Sequence, residues 1–295
     1  MNNFLTNTIA SALVFTATVA SVHAGDKSIL TTDVNTRYGL FNGLDHRSNY
    51  GSGAYPEPFL NDDSALEQNE LRFNWVRSFK RNNHSDEFTA EYEFGIGNLT
   101  LEAEFHYERS VEAGKTAEKG LGNVDLAARY PLYQYVSKDG FVDTTFGLGV
   151  EVGIPTNTAV SQSTEVVPKV FNDLRLGQHF TLQTIAGYSL LYGGEEDGIH
   201  TLEYGVTLGW TIPHAELPLP GVKEFVPVFE VAGETQLNKE EDGVTSLVGL
   251  IGFRANMNPI GKVQPRLGLG YVIPLNAVAR EEQNWGLFTS LVFEF

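Results

Sequence analysis

From about residue 70 to its end, the sequence alternates apolar and polar residues in short runs that turn residues separate. In the clearest run, residues 88–96, aromatic and aliphatic side chains take every second position, with threonine, glutamate or glycine between them. Successive side chains of a β-strand point to opposite faces, so this period of two predicts strands with one apolar and one polar face. Helical periodicity is almost absent from this part of the chain, which indicates an all-β fold.

The alternating runs number about twelve, and each is long enough to cross a thin bilayer at a tilt. They cover residues 71–79, 88–96, 99–107, 124–130, 142–154, 166–176, 180–192, 202–212, 225–233, 247–255, 263–273 and 285–295. An even number of antiparallel strands also brings both ends of a closed sheet to the same side. We therefore predict an all-β, transmembrane antiparallel β-barrel of about 12 strands over residues 67–295.

The connectors between the runs alternate in length. The short set covers residues 97–98, 137–140, 177–178 and 258–261, and the long set covers residues 111–120, 155–164, 193–198, 238–243 and 276–284. Outer-membrane barrels have short periplasmic turns and longer external loops, so this order is typical of a barrel whose chain starts in the periplasm. Residues 213–224 break the pattern, because they form a long connector within the short set.

A soluble β-sandwich or soluble barrel would also alternate, but its polar face would meet water and carry long charged side chains. Here the polar face is rich in glycine: Gly147, Gly149, Gly153, Gly205, Gly209, Gly268 and Gly270. We expect these small inward residues to leave room in a lumen, which favours the membrane barrel. A mean hydropathy of −0.16 agrees with it, since lipid-facing and lumen-facing residues average out.

The first 24 residues predict a secretory signal peptide. An apolar stretch over residues 9–20 precedes Val22, His23 and Ala24, a small-x-small pattern typical of a cleavage site. No Lys or Arg occurs in this stretch, so only the α-amino group supplies the usual positive charge. Residues 25–66 do not alternate and are rich in Gly, Asn and Asp, and we expect them to be periplasmic or inserted into the lumen.

The net charge of −17 argues against a nucleic-acid partner, whose phosphates require a basic surface. The chain contains no cysteine, which excludes disulfides, thiolate metal sites and a thiol nucleophile. The sequence also contains no phosphate-binding glycine loop followed by a helix, and it predicts no cofactor.

Four glutamates are predicted to lie together on the inner face. The two-residue turn at residues 97–98 fixes the hairpin register, which places Glu93 opposite Glu102 and Glu91 opposite Glu104. Like charges directly opposite one another are destabilising, so this set needs compensation from cations or basic side chains.

Basic residues on the neighbouring strands can supply that compensation: Arg72 on the preceding strand and Arg129 on the following one, with His106 next along the same face. We interpret the seven residues as a lumen-lining ion-pair network. A selectivity element for a cationic or hydroxylated solute, a divalent-cation site and a catalytic site with Ser78 as nucleophile are alternatives that the spacing leaves open. No residue is assigned as catalytic or as a metal ligand.

The final run ends on Phe295, on the apolar face of its strand. It resembles the closing strand of bacterial outer-membrane barrels, whose terminal aromatic residue is the signal read by the barrel-assembly machinery. The bacterial outer membrane is therefore the predicted location, and its lipid and lipopolysaccharide are predicted partners.

Residues 120–130 read GLGNVDLAARY. This segment resembles a motif of the outer-membrane barrel family named for the meta-pathway of phenol degradation, in which Asn123, Asp125, Arg129 and Tyr130 fill the characteristic places. The family is described as transporters, so the resemblance implies a channel for passive uptake of small solutes, aromatic or hydrophobic ones among them, and not an enzyme. An outer-membrane hydrolase or lipid-modifying enzyme and a closed structural barrel are the alternatives.

Overall fold

The protein is described by a computed structural model that covers residues 58–61, 69–96, 99–194 and 196–295. The predicted signal peptide and most of residues 25–66 lie outside the described residues. The elements are β1 (Glu70–Lys80), β2 (Asn83–Ile96), β3 (Leu99–Val111), β4 (Glu118–Val136), β5 (Val142–Ile154), β6 (Thr164–Leu176), β7 (Phe180–Tyr192), β8 (His200–Trp210), β9 (Ile212–Pro213), β10 (Val222–Gln236), β11 (Thr245–Met257), β12 (Gln264–Pro274), α1 (Ala277–Glu282) and β13 (Trp285–Glu294).

Twelve long strands form one closed antiparallel barrel. Each strand pairs with the next along the chain, and β13 pairs with both β12 and β1, which closes the sheet. The two-residue strand β9 pairs only with the start of β10, which otherwise lies between β8 and β11. The predicted fold class is therefore confirmed, and closure leaves no unpaired edge in the membrane.

The outer face carries the large apolar side chains. Phe105 and Leu148, for example, are 55% and 41% exposed, although they lie in mid-strand. Toward one end of the barrel, Phe79 and Tyr271 stack on Trp285, with ring centroids 4.0 and 5.8 Å away. An apolar belt edged by aromatic rings matches a lipid bilayer and its interface, which places the barrel in the bacterial outer membrane. Among the described residues, no helix is long and apolar enough to span a membrane.

The two ends of the barrel differ. We call the end where β1 begins and β13 ends the turn end, and the opposite end the loop end. The connectors at the loop end include residues 155–163, 193–199, 237–244 and 275–284, the last of which contains α1. Residues 211–221 form a long connector at the turn end, as the sequence indicates, and β9 lies within it.

The lumen wall is mostly polar but contains an apolar patch. On the side formed by β10–β13, five inward side chains make a buried apolar cluster with Phe59: Val226, Val228, Leu250, Val272 and Phe288. The alternation predicts a polar inner face throughout, and on this side that prediction is wrong. These strands carry apolar residues on both faces, so the alternation of the sequence does not indicate which residues lie on the inner face.

Several inward glycines make room for large side chains. A Cβ at Gly149 would lie 2.7 Å from the Phe171 ring, and one at Gly270 would lie 2.7 Å from the Leu250 side chain. These glycines accommodate large inward side chains of neighbouring strands, so the barrel interior is largely packed.

Candidate functional site in the barrel lumen

The glutamates of the β2–β3 hairpin face the interior in the expected register. Glu93 lies opposite Glu102, and Glu91 lies opposite Glu104. Arg129 on β4 reaches both members of the first pair: it forms an ion pair with Glu93 and another with Glu102 at 2.9 Å. Glu93 and Arg129 are 0% and 1% exposed. A buried arginine between two buried carboxylates compensates the like-charge pairing, and removing it would leave charges in a medium of low dielectric constant.

Further ion pairs continue this pattern around the turn end. Arg72 lies 3.0 Å from Glu70 and 3.4 Å from Glu91, and Arg266 pairs with Glu294 on the neighbouring strand. All of these side chains are buried. We call the residues Arg72, Glu93, Glu102, Arg129, Arg266 and Glu294 the arginine belt.

His106 lies nearer the loop end, among carboxylates. Its Nε2 is 2.6 Å from Asp125 and 3.6 Å from Glu104, and its Nδ1 is 3.2 Å from Glu87. A β-bulge between Phe105 and Tyr107 changes the β3–β4 register at this point.

Two glycines make room for the His106 site. A Cβ at Gly122 would lie 2.8 Å from the His106 Cβ, and one at Gly153 would lie 2.8 Å from the Asp125 carboxylate. Ser78, the conceivable nucleophile, pairs in the sheet with Ser85 and Gly286, and no contact between it and His106 occurs among the described residues.

Residues 58–61 lie inside the lumen, against the apolar wall. The buried carboxylate of Glu230 accepts hydrogen bonds from the backbone N–H groups of Phe59 at 2.6 Å and Leu60 at 2.7 Å. Arg254 donates to the Pro58 carbonyl, and its guanidinium lies 3.8 Å from the centroid of the Phe59 ring, a cation–π contact.

The barrel wall is shaped to this segment. The side chain of Asn61 donates to Thr207 at 3.0 Å, and the Phe59 ring meets Phe288 edge-on at 5.3 Å. A Cβ at Gly205 would overlap Asn61, and one at Gly268 would lie 2.8 Å from Phe59. The segment was missed as a site in the sequence. Its one local signal is Glu230, an inward carboxylate that follows the inward apolar residues Val226 and Val228.

A cavity of about 360 Å³ lies between residues 58–61 and the hairpin glutamates. Its apolar lining comes from Phe59, Leu60, Val76 and Phe288. Its charged lining includes the carboxylates of Glu87, Glu91 and Glu104 together with His106, Arg72 and Lys169. A second cavity of about 220 Å³ lies on the far side of His106 and is lined by Glu108, Asp125 and Glu165. The loop-end half of the lumen is therefore acidic and amphipathic.

The motif at residues 120–130 supplies three separate contacts of the lumen. Asn123 accepts from the hydroxyl of Ser161 at 2.6 Å and so holds the β5–β6 loop, Asp125 meets His106, and Arg129 joins the arginine belt. Tyr130 lies on the outer face. The inward positions of the motif are thus the ones that carry polar contacts.

Comparison with known proteins agrees with the fold. No protein-family model and no curated protein matches the chain. Among solved structures, an outer membrane channel from Pseudomonas putida F1 matches with a TM-score of 0.50 and 14% identity, over 81% of this chain and 98% of that chain. The NanC porin matches with a TM-score of 0.48 and 10% identity, over 77% of this chain and 98% of that chain. The chain shares the fold of outer-membrane β-barrels.

Proposed function

We propose that the barrel is a passive outer-membrane channel for small amphipathic solutes that join an aromatic or aliphatic part to a cationic or hydroxyl group. The observation that supports this most is the cavity of about 360 Å³, whose lining combines phenylalanine, leucine and valine side chains with five carboxylates, one histidine and two basic side chains. Apolar surfaces with a few placed polar groups are typical of small-molecule sites. The acidic loop-end lumen raises the local concentration of cations and disfavours anions.

Passage through the lumen requires residues 58–61 to move. Glu230 and Arg254 hold the segment inside the lumen, and three of its residues, Phe59, Leu60 and Asn61, line the cavity. We therefore propose that this segment is the gate, and that the bonds from Glu230 and Arg254 hold it shut. A solute that occupies the cavity contacts Phe59 and Leu60 directly, so its arrival can favour the shifted position.

A channel is the better proposal than a hydrolase because, among the described residues, the polar contacts of the His106 ring are with carboxylates. A serine hydrolase needs its nucleophile within hydrogen-bond reach of the base, and Ser78 does not provide one here. A closed structural barrel is the remaining alternative, and the permeation experiment below distinguishes it.

The test is swelling of proteoliposomes that contain the full chain. An aromatic amine should enter several-fold faster than an aromatic carboxylate of the same size, and Glu104→Gln should reduce this difference. Asp242→Asn removes one negative charge from an exposed loop and is the matched control, which should leave the difference unchanged. Equal rates for amine and carboxylate would contradict the proposed solute class, and absence of swelling with either would favour the closed barrel.

We also propose that the chain is a distant member of the meta-pathway barrel family. The support is that Asn123, Asp125 and Arg129, the inward residues of the resembling motif, each make a specific polar contact in the lumen. The test is exchange of residues 120–130 for the corresponding strand of a family member. The chimera should fold as a heat-modifiable barrel, and a chimera that aggregates would count against the relationship.

A further inference from the structure

The register around His106 leaves negative charge without basic partners. Glu104 lies directly opposite Asp125 on β4, and Glu87 lies directly opposite Glu108 within the β2–β3 hairpin. Among the described residues, no lysine or arginine forms an ion pair with any of these four carboxylates, and His106 is their one cationic contact. Directly opposed like charges in a partly buried wall destabilise the sheet unless a cation lies between them.

One imidazole and two carboxylates at this place offer ligand atoms that suit a metal ion. His106, Glu104 and Asp125 each offer one ligand atom, and these atoms all lie within 4.8 Å of one another. The Glu87 carboxylate lies 3.2 Å from His106 Nδ1 and can accept a hydrogen bond from its N–H group. That hydrogen bond leaves Nε2 available as a ligand atom beside the Glu104 and Asp125 carboxylates. A histidine that bonds a carboxylate through one nitrogen and a metal through the other is the arrangement of many zinc sites.

From these observations we propose that Glu104, His106 and Asp125 bind a divalent transition-metal cation of the zinc type in the lumen wall. One imidazole nitrogen with two carboxylate oxygens suits such a cation better than Ca²⁺ or Mg²⁺, which take oxygen ligands. The fourth coordination position would face the lumen. The proposal does not depend on the channel function, because a wall site would bind its metal whether or not the barrel conducts.

The geometric change that binding requires is small. Zn–N and Zn–O bonds of about 2.0–2.2 Å in a tetrahedral site place two ligand atoms about 3.4 Å apart. The 3.6 Å separation of Nε2 from Glu104 already fits, and the 2.6 Å separation from Asp125 must widen by somewhat under an ångström. Gly153 presents no Cβ against the Asp125 carboxylate, so this side chain has space to turn.

The site can be reached from two sides. His106 and Glu104 line the cavity of about 360 Å³, and His106 and Asp125 line the cavity of about 220 Å³ toward the loop end. A hydrated cation entering from the loop end therefore meets the donor set before it reaches the arginine belt.

Calorimetric titration of the chelator-treated full-length barrel with Zn²⁺ tests the proposal, with Co²⁺ absorption as a report of nitrogen ligation. We expect one site per chain, with an affinity for Zn²⁺ at least tenfold above that for Ca²⁺. His106→Gln should abolish the Co²⁺ signature, and Glu87→Gln should weaken Zn²⁺ binding about tenfold, as loss of a ligand-orienting carboxylate commonly does.

Glu203→Gln removes a carboxylate that lines a different cavity of the same lumen, and this control should leave Zn²⁺ affinity within about twofold of the original, since it removes no ligand or ligand partner. Heat-modifiable migration of every variant verifies that the barrel has closed. Zn²⁺ affinity that survives His106→Gln, or that falls equally in Glu203→Gln, would overturn the site and show only general cation attraction. Loss of the zinc site with normal solute swelling would leave the proposed channel function intact.

Discussion

The arginine belt and the His106 site share strands β3 and β4, and in each region carboxylates that oppose one another are compensated differently. In both, strand register places carboxylates directly opposite one another. In the arginine belt, Arg129 bridges Glu93 and Glu102 from the next strand, and the group is fully buried. At the His106 site the opposed carboxylates have one histidine and two adjoining cavities. This difference is what the proposed metal site rests on: the belt compensates its carboxylates with buried arginine, and the His106 site has space for a cation beside its carboxylates.

The largest effect should come from the belt. Arg129→Gln leaves Glu93 and Glu102 buried without their shared partner, and we expect it to lower the free energy of unfolding by about 3–5 kcal/mol. Urea-induced unfolding in lipid vesicles measures this. Adding Glu93→Gln to Arg129→Gln should recover part of the loss, because it removes one of the stranded charges. If Arg129→Gln lowers the free energy of unfolding less than Asp125→Asn does, the distinction between the arginine belt and the His106 site is wrong.

The second largest effect should come from residues 58–61, which line the cavity together with residues of both regions. Gly205→Val places a side chain where Asn61 lies, and we expect a loss of about 1–3 kcal/mol from overpacking together with increased single-channel conductance. Glu230→Gln weakens the hydrogen bonds to Phe59 and Leu60 from the other side and should also raise conductance. Val206→Ile, one residue further on the lipid-facing side, is the control and should change neither. Unchanged conductance in both lumen variants would show that residues 58–61 are not the gate.

The sequence predicts the two regions unequally, and the reason is physical. Apolar and polar residues alternate within each strand, and the two-residue connection between β2 and β3 fixes their register. The positions of Glu91 opposite Glu104 and of Glu93 opposite Glu102 therefore follow from the sequence alone. The β-bulge beside His106 shifts the β3–β4 register beyond Phe105, and no pattern in the sequence predicts this shift. The contact between Phe59 and Glu230 joins positions that are 171 residues apart and has no periodic signature.

At the His106 site of the metal-free protein, we expect a substitution to change the free energy of unfolding only slightly. Asp125→Asn removes the charge that lies opposite Glu104 while keeping the size of the side chain and an oxygen near His106. Relief of repulsion offsets the lost ion pair, so the free energy of unfolding should change by less than about 1 kcal/mol. With saturating Zn²⁺ the same variant should be clearly less stable than the original chain, because ligand binding stabilises only the folded state that holds the site. If the original chain unfolds identically with and without Zn²⁺, the His106 site has a structural role only, like the arginine belt.

The smallest expected effect lies outside the membrane-spanning strands, in the β4–β5 turn below the arginine belt. Asp139 accepts a hydrogen bond from the Ser137 hydroxyl at 2.6 Å and a second from the Phe141 backbone N–H at 3.1 Å. These bonds, the hydroxyl first, hold the pKa of the Asp139 carboxyl below its ordinary value.

A group whose pKa is lower in the folded state stabilises the fold above its unfolded pKa of about 4, and this contribution disappears as the pH falls through the folded pKa. Asp139→Asn should therefore destabilise the barrel slightly at neutral pH and not at all in strong acid. Because the Asp139 side chain is exposed, added salt should weaken the effect at neutral pH. Urea midpoints at the two pH values measure the difference, with Ser137→Ala as the paired variant that removes the main hydrogen bond. A difference between Asp139→Asn and the original chain that persists in strong acid would mean that the turn acts through its backbone shape, and charge pairing would then be confined to the barrel interior.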